Sequence, residues 1–125
     1  MRDDSGKVII AEDEEEQLDK LAGNYSTIIK KVHKLSSEDT EGLHKSEQSY
    51  GDSWKERGGV GAFMMLARKW DRLEKQTKEF KWDIFEAVQE DAREEGILDD
   101  IKDLRRYLFL VEAEMRIRLN DKPKR

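Results

Sequence analysis

Residues 97–119 read ILDDIKDLRRYLFLVEAEMRIRL, and they decide the fold class. Ile97, Ile101, Leu104, Leu108, Val111 and Met115 recur at offsets of three and four, the spacing that lines one face of an α-helix. Upstream, Val60, Phe63, Met64, Ala67, Trp70 and Leu73 repeat the pattern and predict a second long helix over about residues 61–80. Leu18, Leu21, Ala22, Tyr25, Ile28, Ile29, Val32 and Leu35 predict a third, as one continuous stripe. Ser36-Ser37 before Glu38-Asp39 reads as a stop and a new N-cap, opening a weak helical segment to about Ser49. Asp83 is placed to cap a short helix with Ile84, Phe85 and Val88 on one face, which Glu94-Glu95-Gly96 interrupts. There is no internal repeat and no strand-like alternation. The expected fold is all-α: a small helical bundle of three long helices and one or two short ones.

A chain of 125 residues is one domain by length, with room for one modest core. Charged residues make up 42% and hydrophobic ones 36%, low for a compact monomer, so the core is expected to be completed by self-association. The organisation read from the chain is a flexible arm over 1–11, a single helical domain over 12–119 and a basic tail over 120–125. The acidic run Glu12–Glu16 suits the first turn of a helix. Net charge of −5 leaves no broad basic face for duplex nucleic acid. The absence of cysteine removes disulfide and thiolate-zinc chemistry. No apolar run has membrane-spanning length, and MRDDSGKVIIAEDEEE lacks the features of a signal peptide, so the cytoplasm is the expected compartment.

Two acidic clusters carry the clearest chemistry. Asp71 and Glu74 lie in KWDRLE, and Asp99, Asp100 and Asp103 lie in ILDDIKDL. Residues three or four apart share a helix face, so each cluster groups its carboxylates beside an apolar stripe. Glu95 extends the second cluster to a column, Glu95-Asp99-Asp103, if the helix begins early enough. Carboxylates converging between two helices form a hard-oxygen site of the kind that holds Mg²⁺, whose charge offsets their mutual repulsion. The plainer alternative is that Asp99 and Asp100 serve a helix start while Asp71 and Asp103 pair with nearby lysines or arginines. Arg68, Lys69, Arg72, Arg105 and Arg106 interleave with the acids, which suits phosphate oxygens and equally an ordinary helix surface.

Other features are weaker. Tyr50-Gly51-Asp52-Ser53-Trp54 is turn chemistry carrying two large aromatics, a binding loop or a lid over the core. Gly58-Gly59-Val60-Gly61 precedes a helix but lacks the Gly-Lys-Ser/Thr of a P-loop. His33 and His44 have no ligand spacing.

Taken together, YGDSW at 50–54, KWDRLE at 69–74 and D-x-x-x-D-L-x-x-Y at 99–107 resemble the nucleotide modification associated domain 1 proteins of phages and bacteria. These are related to the all-α NTP pyrophosphatase superfamily, MazG-like and dimeric dUTPase-like. The resemblance covers about residues 40–119, with Glu95, Asp99, Asp103, Leu104 and Tyr107 matching the family's late-helix motif. It implies a MazG-like helical bundle assembled as a dimer or tetramer. It also implies Mg²⁺-dependent hydrolysis of nucleoside triphosphates to monophosphate and pyrophosphate.

The superfamily's metal motifs, Glu-x-x-Glu and Glu-x-x-Asp, find their best matches in Asp71-x-x-Glu74 and Asp100-x-x-Asp103, with Asp99 and Glu95 as further ligands. Asp71 stands where Glu is usual, and Glu38-x-x-Glu41 is a rival first motif. On this reading Asp71, Glu74 and Asp103 are catalytic, Arg68, Arg72 or Arg105 meets phosphate charge, Trp54 or Tyr50 stacks on the base, and Asp52 is a further substrate-binding residue. The expected function is a pyrophosphohydrolase of dNTPs or a modified nucleotide. Two alternatives stand beside it. One is a non-catalytic helical oligomer that binds a nucleotide or signalling molecule, phage-encoded and opposing host defence. The other is a scaffold without a small ligand, its oligomer interface supplied by Leu18 to Leu35.

Overall fold

A computed structural model describes residues 23–121. The elements are helix α1 (Thr27–Tyr50), a 3₁₀ turn (Ser53–Lys55), α2 (Gly58–Lys78), α3 (Ile84–Glu90) and α4 (Ile97–Asn120). No strand occurs among the described residues, as the periodicities require. The chain divides into two compact units, Met1–His44 and Lys45–Arg125. The expected N-terminal arm, the acidic run Glu12–Glu16, the stripe positions Leu18, Leu21 and Ala22, and Lys122–Arg125 of the basic tail all lie outside the described residues.

In the first unit, α1 starts later and runs further than its sequence suggests. Gly23-Asn24 forms a turn, and Ser26 caps the helix by accepting from Ile29 N at 3.4 Å. The expected stop at Ser36-Ser37 is absent. Ser36 Oγ donates to the His33 carbonyl at 2.8 Å and Thr40 Oγ1 to the Ser36 carbonyl at 3.0 Å. Each hydroxyl is thus satisfied by the preceding turn of its own helix instead of competing with it. Ile28, Ile29 and Val32 are exposed, Leu35 is half-buried, and the buried residue of this stretch is Asp39.

In the second unit, α1 ends where Gly51 N donates to the Glu47 carbonyl at 2.8 Å, with Gly51 at φ 59°. That left-handed position suits glycine because it carries no Cβ. Helices α2 and α4 form the main packed pair, with α3 against both. Leu73, Ala87 and Ile97 are the buried centre, surrounded by Phe80, Ile84, Val88, Ile101 and Leu104. Removing a side chain such as Leu73 or Ile97 from water contributes about 1.5–3 kcal/mol each.

The end of α2 is held by buried Thr77. Its carbonyl accepts from Phe80 N and Trp82 N, both at 3.0 Å, and its Oγ1 donates to the Leu73 carbonyl at 2.7 Å. The Trp82 bond closes the helix in the Schellman manner, with Lys81 (φ 54°) and Trp82 (φ 67°) in the left-handed region. Asp83 then caps α3 as expected, accepting from Phe85 N and Glu86 N at 3.1 Å each.

One expectation is corrected. Of the α2 stripe Leu73 is buried and Ala67 half-buried, whereas Val60, Phe63, Met64 and Trp70 are 78%, 65%, 57% and 58% exposed. At about 100° per residue these four span an arc of about 120° that adjoins the arc of buried Ala62, Leu73 and Thr77, with Trp70 only about 20° from Thr77. The apolar belt is wider than the strip that packs, and periodicity alone does not say where burial stops. Phe85 on α3 and Leu108 and Met115 on α4 are likewise exposed, against expectation.

Candidate functional site

The acids of α4 meet α2 through its basic residues. Arg72 Nε donates to Asp100 Oδ1 at 2.8 Å, and Lys69 Nζ lies 2.9 Å from Asp103 Oδ2. One turn of Lys69-x-x-Arg72 therefore faces one turn of Asp100-x-x-Asp103 in reverse order, as antiparallel helices require. Lys55 extends the same arrangement, pairing with Glu114 at 2.8 Å further along α4. Cations from residues 55–72 and acids from α4 make an electrostatic seam beside the apolar core.

Asp100 is the centre of this seam. Its side chain is 2% exposed, and a carboxylate so far from water requires neighbouring cations. Arg72 supplies one, and Arg93 Nη2 stands 3.5 Å from Oδ2, the oxygen that accepts no hydrogen bond. Arg93 is positioned by Asp91, 3.0 Å from Nε. The Arg93 guanidinium, followed by the Ile97 amide, draws the Asp91 carboxyl down to about 2. Asp91 in turn holds the Arg93 guanidinium above its usual range.

Asp91 and Asp99 also build the start of α4. Ile97 N donates to Asp91 Oδ2, and Gly96 N donates to Asp99 Oδ2 at 3.1 Å. Two amides that no helical carbonyl can serve are thereby satisfied. Gly96 is required by space: a Cβ there would run into the Asp91 carboxylate. Asp99 additionally lies 3.8 Å from Lys102, an exposed pair of small value.

The remaining sequence-predicted residues are placed elsewhere. Asp71 and Glu74 are exposed and lie on the side of α2 turned away from Arg72 and Leu73. Asp71 follows Trp70, which is itself 58% exposed, so Asp71 does not flank the core. Glu95 is exposed in the loop before α4, so it does not continue a helical column with Asp99 and Asp103. Arg68 is exposed and Arg105 half-buried. In the aromatic loop Tyr50 is 74% exposed, Asp52 is exposed, and Trp54 is half-buried with the Lys55 ammonium 5.9 Å from its ring centre. In the first unit, Glu38 and Glu41 are exposed on either side of buried Asp39.

Mg²⁺ demands several oxygen ligands in near-octahedral geometry. Asp100 and Asp103 already face Arg72 and Lys69, while Asp71 and Glu74 point the other way. Among the described residues, no group of three or more His, Asp or Glu side chains is arranged to hold a metal ion. Within the Lys45–Arg125 unit these carboxylates do not fit the ion as they stand.

Sequence reading missed Arg93, Asp91 and the Lys55–Glu114 pair. Part of the signal was present: the matched three-residue spacing of Lys69/Arg72 and Asp100/Asp103 marks complementary faces. Glu114 lies below the usual carboxylate range because of Arg118 and then Lys55, and Lys55 is raised chiefly by Glu114. No family model, curated protein or solved structure matches the chain.

Proposed function

We propose that this chain is a non-catalytic helical association module, a scaffold that works by pairing with a further copy of itself. The observation that carries the reading is the bare apolar face of α2, formed by Val60, Phe63, Met64 and Trp70. A contiguous patch of large apolar side chains on a small protein marks an interaction surface. The acids are the second support. Asp100 and Asp103 hold α2 to α4, and Asp91 and Asp99 build a helix start, which gives these carboxylates structural work. Light scattering on the full chain from low to high micromolar concentration tests the proposal. An oligomer is expected; a monomer throughout overturns it.

A second reading is the Mg²⁺-dependent nucleoside triphosphate pyrophosphohydrolase implied by the resemblance. It is favoured by Asp99 and Asp103, one turn apart on α4, 45% and 38% exposed. Their lysine partners, Lys102 at 3.8 Å and Lys69 at 2.9 Å, form partly exposed pairs that a competing cation can displace. This reading needs further acids to join these two, and Asp71 and Glu74 of the same chain do not.

A further inference from the structure

We infer that a second copy of this chain docks antiparallel on the outer face of α2, and that its Asp71 caps the open N-terminus of that helix. The inference rests on the association reading and specifies its interface. Val60, Phe63, Met64 and Trp70 fall on one face with half-buried Ala67 between them. The face runs from residue 60 to residue 70, so a two-fold axis near residue 65 covers it completely. That register sets Val60 opposite Trp70 and Phe63 opposite Ala67, large against small, as interdigitating helices require.

Charge chooses the direction. A parallel pair would set Asp71 against Asp71 and Glu74 against Glu74, which repel. Reversal instead brings Asp71 level with Gly59 of the other copy, at the positive end of its α2. That end lacks a side-chain cap: Arg57 holds the N-cap position and makes no capping hydrogen bond. The space is open, since a Cβ at Gly58 or Gly59 would meet nothing within 4 Å. A carboxylate from a second copy supplies the acceptor that the helix lacks. At exposures of 57–78%, the four large side chains offer on the order of 450 Å² per copy. Together with the charged flanks, this brings a pair to the lower end of stable interfaces, roughly 1,200 Å² in total.

The chain has no cysteine, so single cysteines report the register directly. Light scattering is expected to give a dimer for the native chain and a monomer for Phe63→Lys, with unchanged far-UV circular dichroism because Phe63 is 65% exposed. Under oxidation Met64→Cys is expected to form a disulfide dimer, since residue 64 lies one position from the axis. Val60→Cys is not, because its two copies are displaced by about 15 Å along the helices. Asp71→Asn is expected to raise the dimer dissociation constant several-fold. An oligomer that survives Phe63→Lys overturns this interface and leaves the association reading standing. Efficient self-crosslinking of Val60→Cys overturns the antiparallel direction. A native chain that is monomeric throughout overturns both proposals.

Discussion

Replacing Arg72 by methionine keeps the length and apolar stem of the side chain and removes its charge from Asp100. The Asp100 side chain is 2% exposed, and its Oδ1 accepts from Arg72 Nε at 2.8 Å. Breaking a buried ion pair by removing one partner costs about 3–5 kcal/mol, chiefly because a charge is left buried. Two features reduce that value here. Arg72 is 39% exposed, and Arg93 Nη2 remains 3.5 Å from the other carboxylate oxygen. The expected loss is about 2–3 kcal/mol, or a fall in Tm of about 10–15 °C for a domain of this size.

The companion variant Arg72→Met/Asp100→Leu is expected to recover most of that loss, because apolar side chains can replace a buried ion pair at little cost. Urea unfolding followed by far-UV circular dichroism measures both, with an unchanged m-value as the check that the fold persists. An Arg72→Met variant within about 0.5 kcal/mol of the native chain refutes the reasoning. So does a double variant as unstable as the sum of its singles.

The other predictions concern the ends of helices and acid stability. Lys81→Gly, at φ 54° in the Schellman turn, is expected to stabilise the chain by about 0.5–1 kcal/mol in urea, since the left-handed strain exceeds the entropy that glycine adds. A destabilised variant would count against that assignment. Gly96→Ala is expected to lower Tm, because its Cβ displaces the Asp91 carboxylate that serves Ile97 N; an unchanged Tm contradicts the close packing. The Asp91 carboxyl titrates at about 2 when folded and near 3.8 when free, so the unfolded chain binds more protons between those values. Its contribution is fully present above about pH 4 and is lost as pH falls through 2. Glu114, also lowered, adds to the same acid limb. Asp91→Asn is expected to flatten that limb in a pH series of urea midpoints, and a limb of unchanged steepness contradicts the assignment.

Most helix boundaries were legible because local chemistry sets them. Asp83 caps α3 as its position implies, and Ile97 opens α4 just past Gly96. The serines at 36–37 misled because a hydroxyl that serves as a cap also bonds a carbonyl of its own helix, and sequence does not separate the two. The site was less legible. The apolar belt of α2 is wider than the strip that packs, so the stripe located Leu73 in the core but also suggested a core position for Trp70, which is 58% exposed. With Trp70 outside the core, Asp71 and Glu74 are exposed as well. The sign of the partners was the other missing fact. Asp100 and Asp103 do turn toward α2, as their place beside the apolar stripe implied, and they meet Arg72 and Lys69 there.

The most direct test of whether these carboxylates are structural or catalytic is Mg²⁺-dependent pyrophosphate release from a panel of dNTPs, measured on the native chain beside Asp103→Asn. The association reading predicts no release above the blank from either protein. Steady turnover by the native chain that Asp103→Asn abolishes, with the variant's circular dichroism intact, would contradict it and restore the hydrolase.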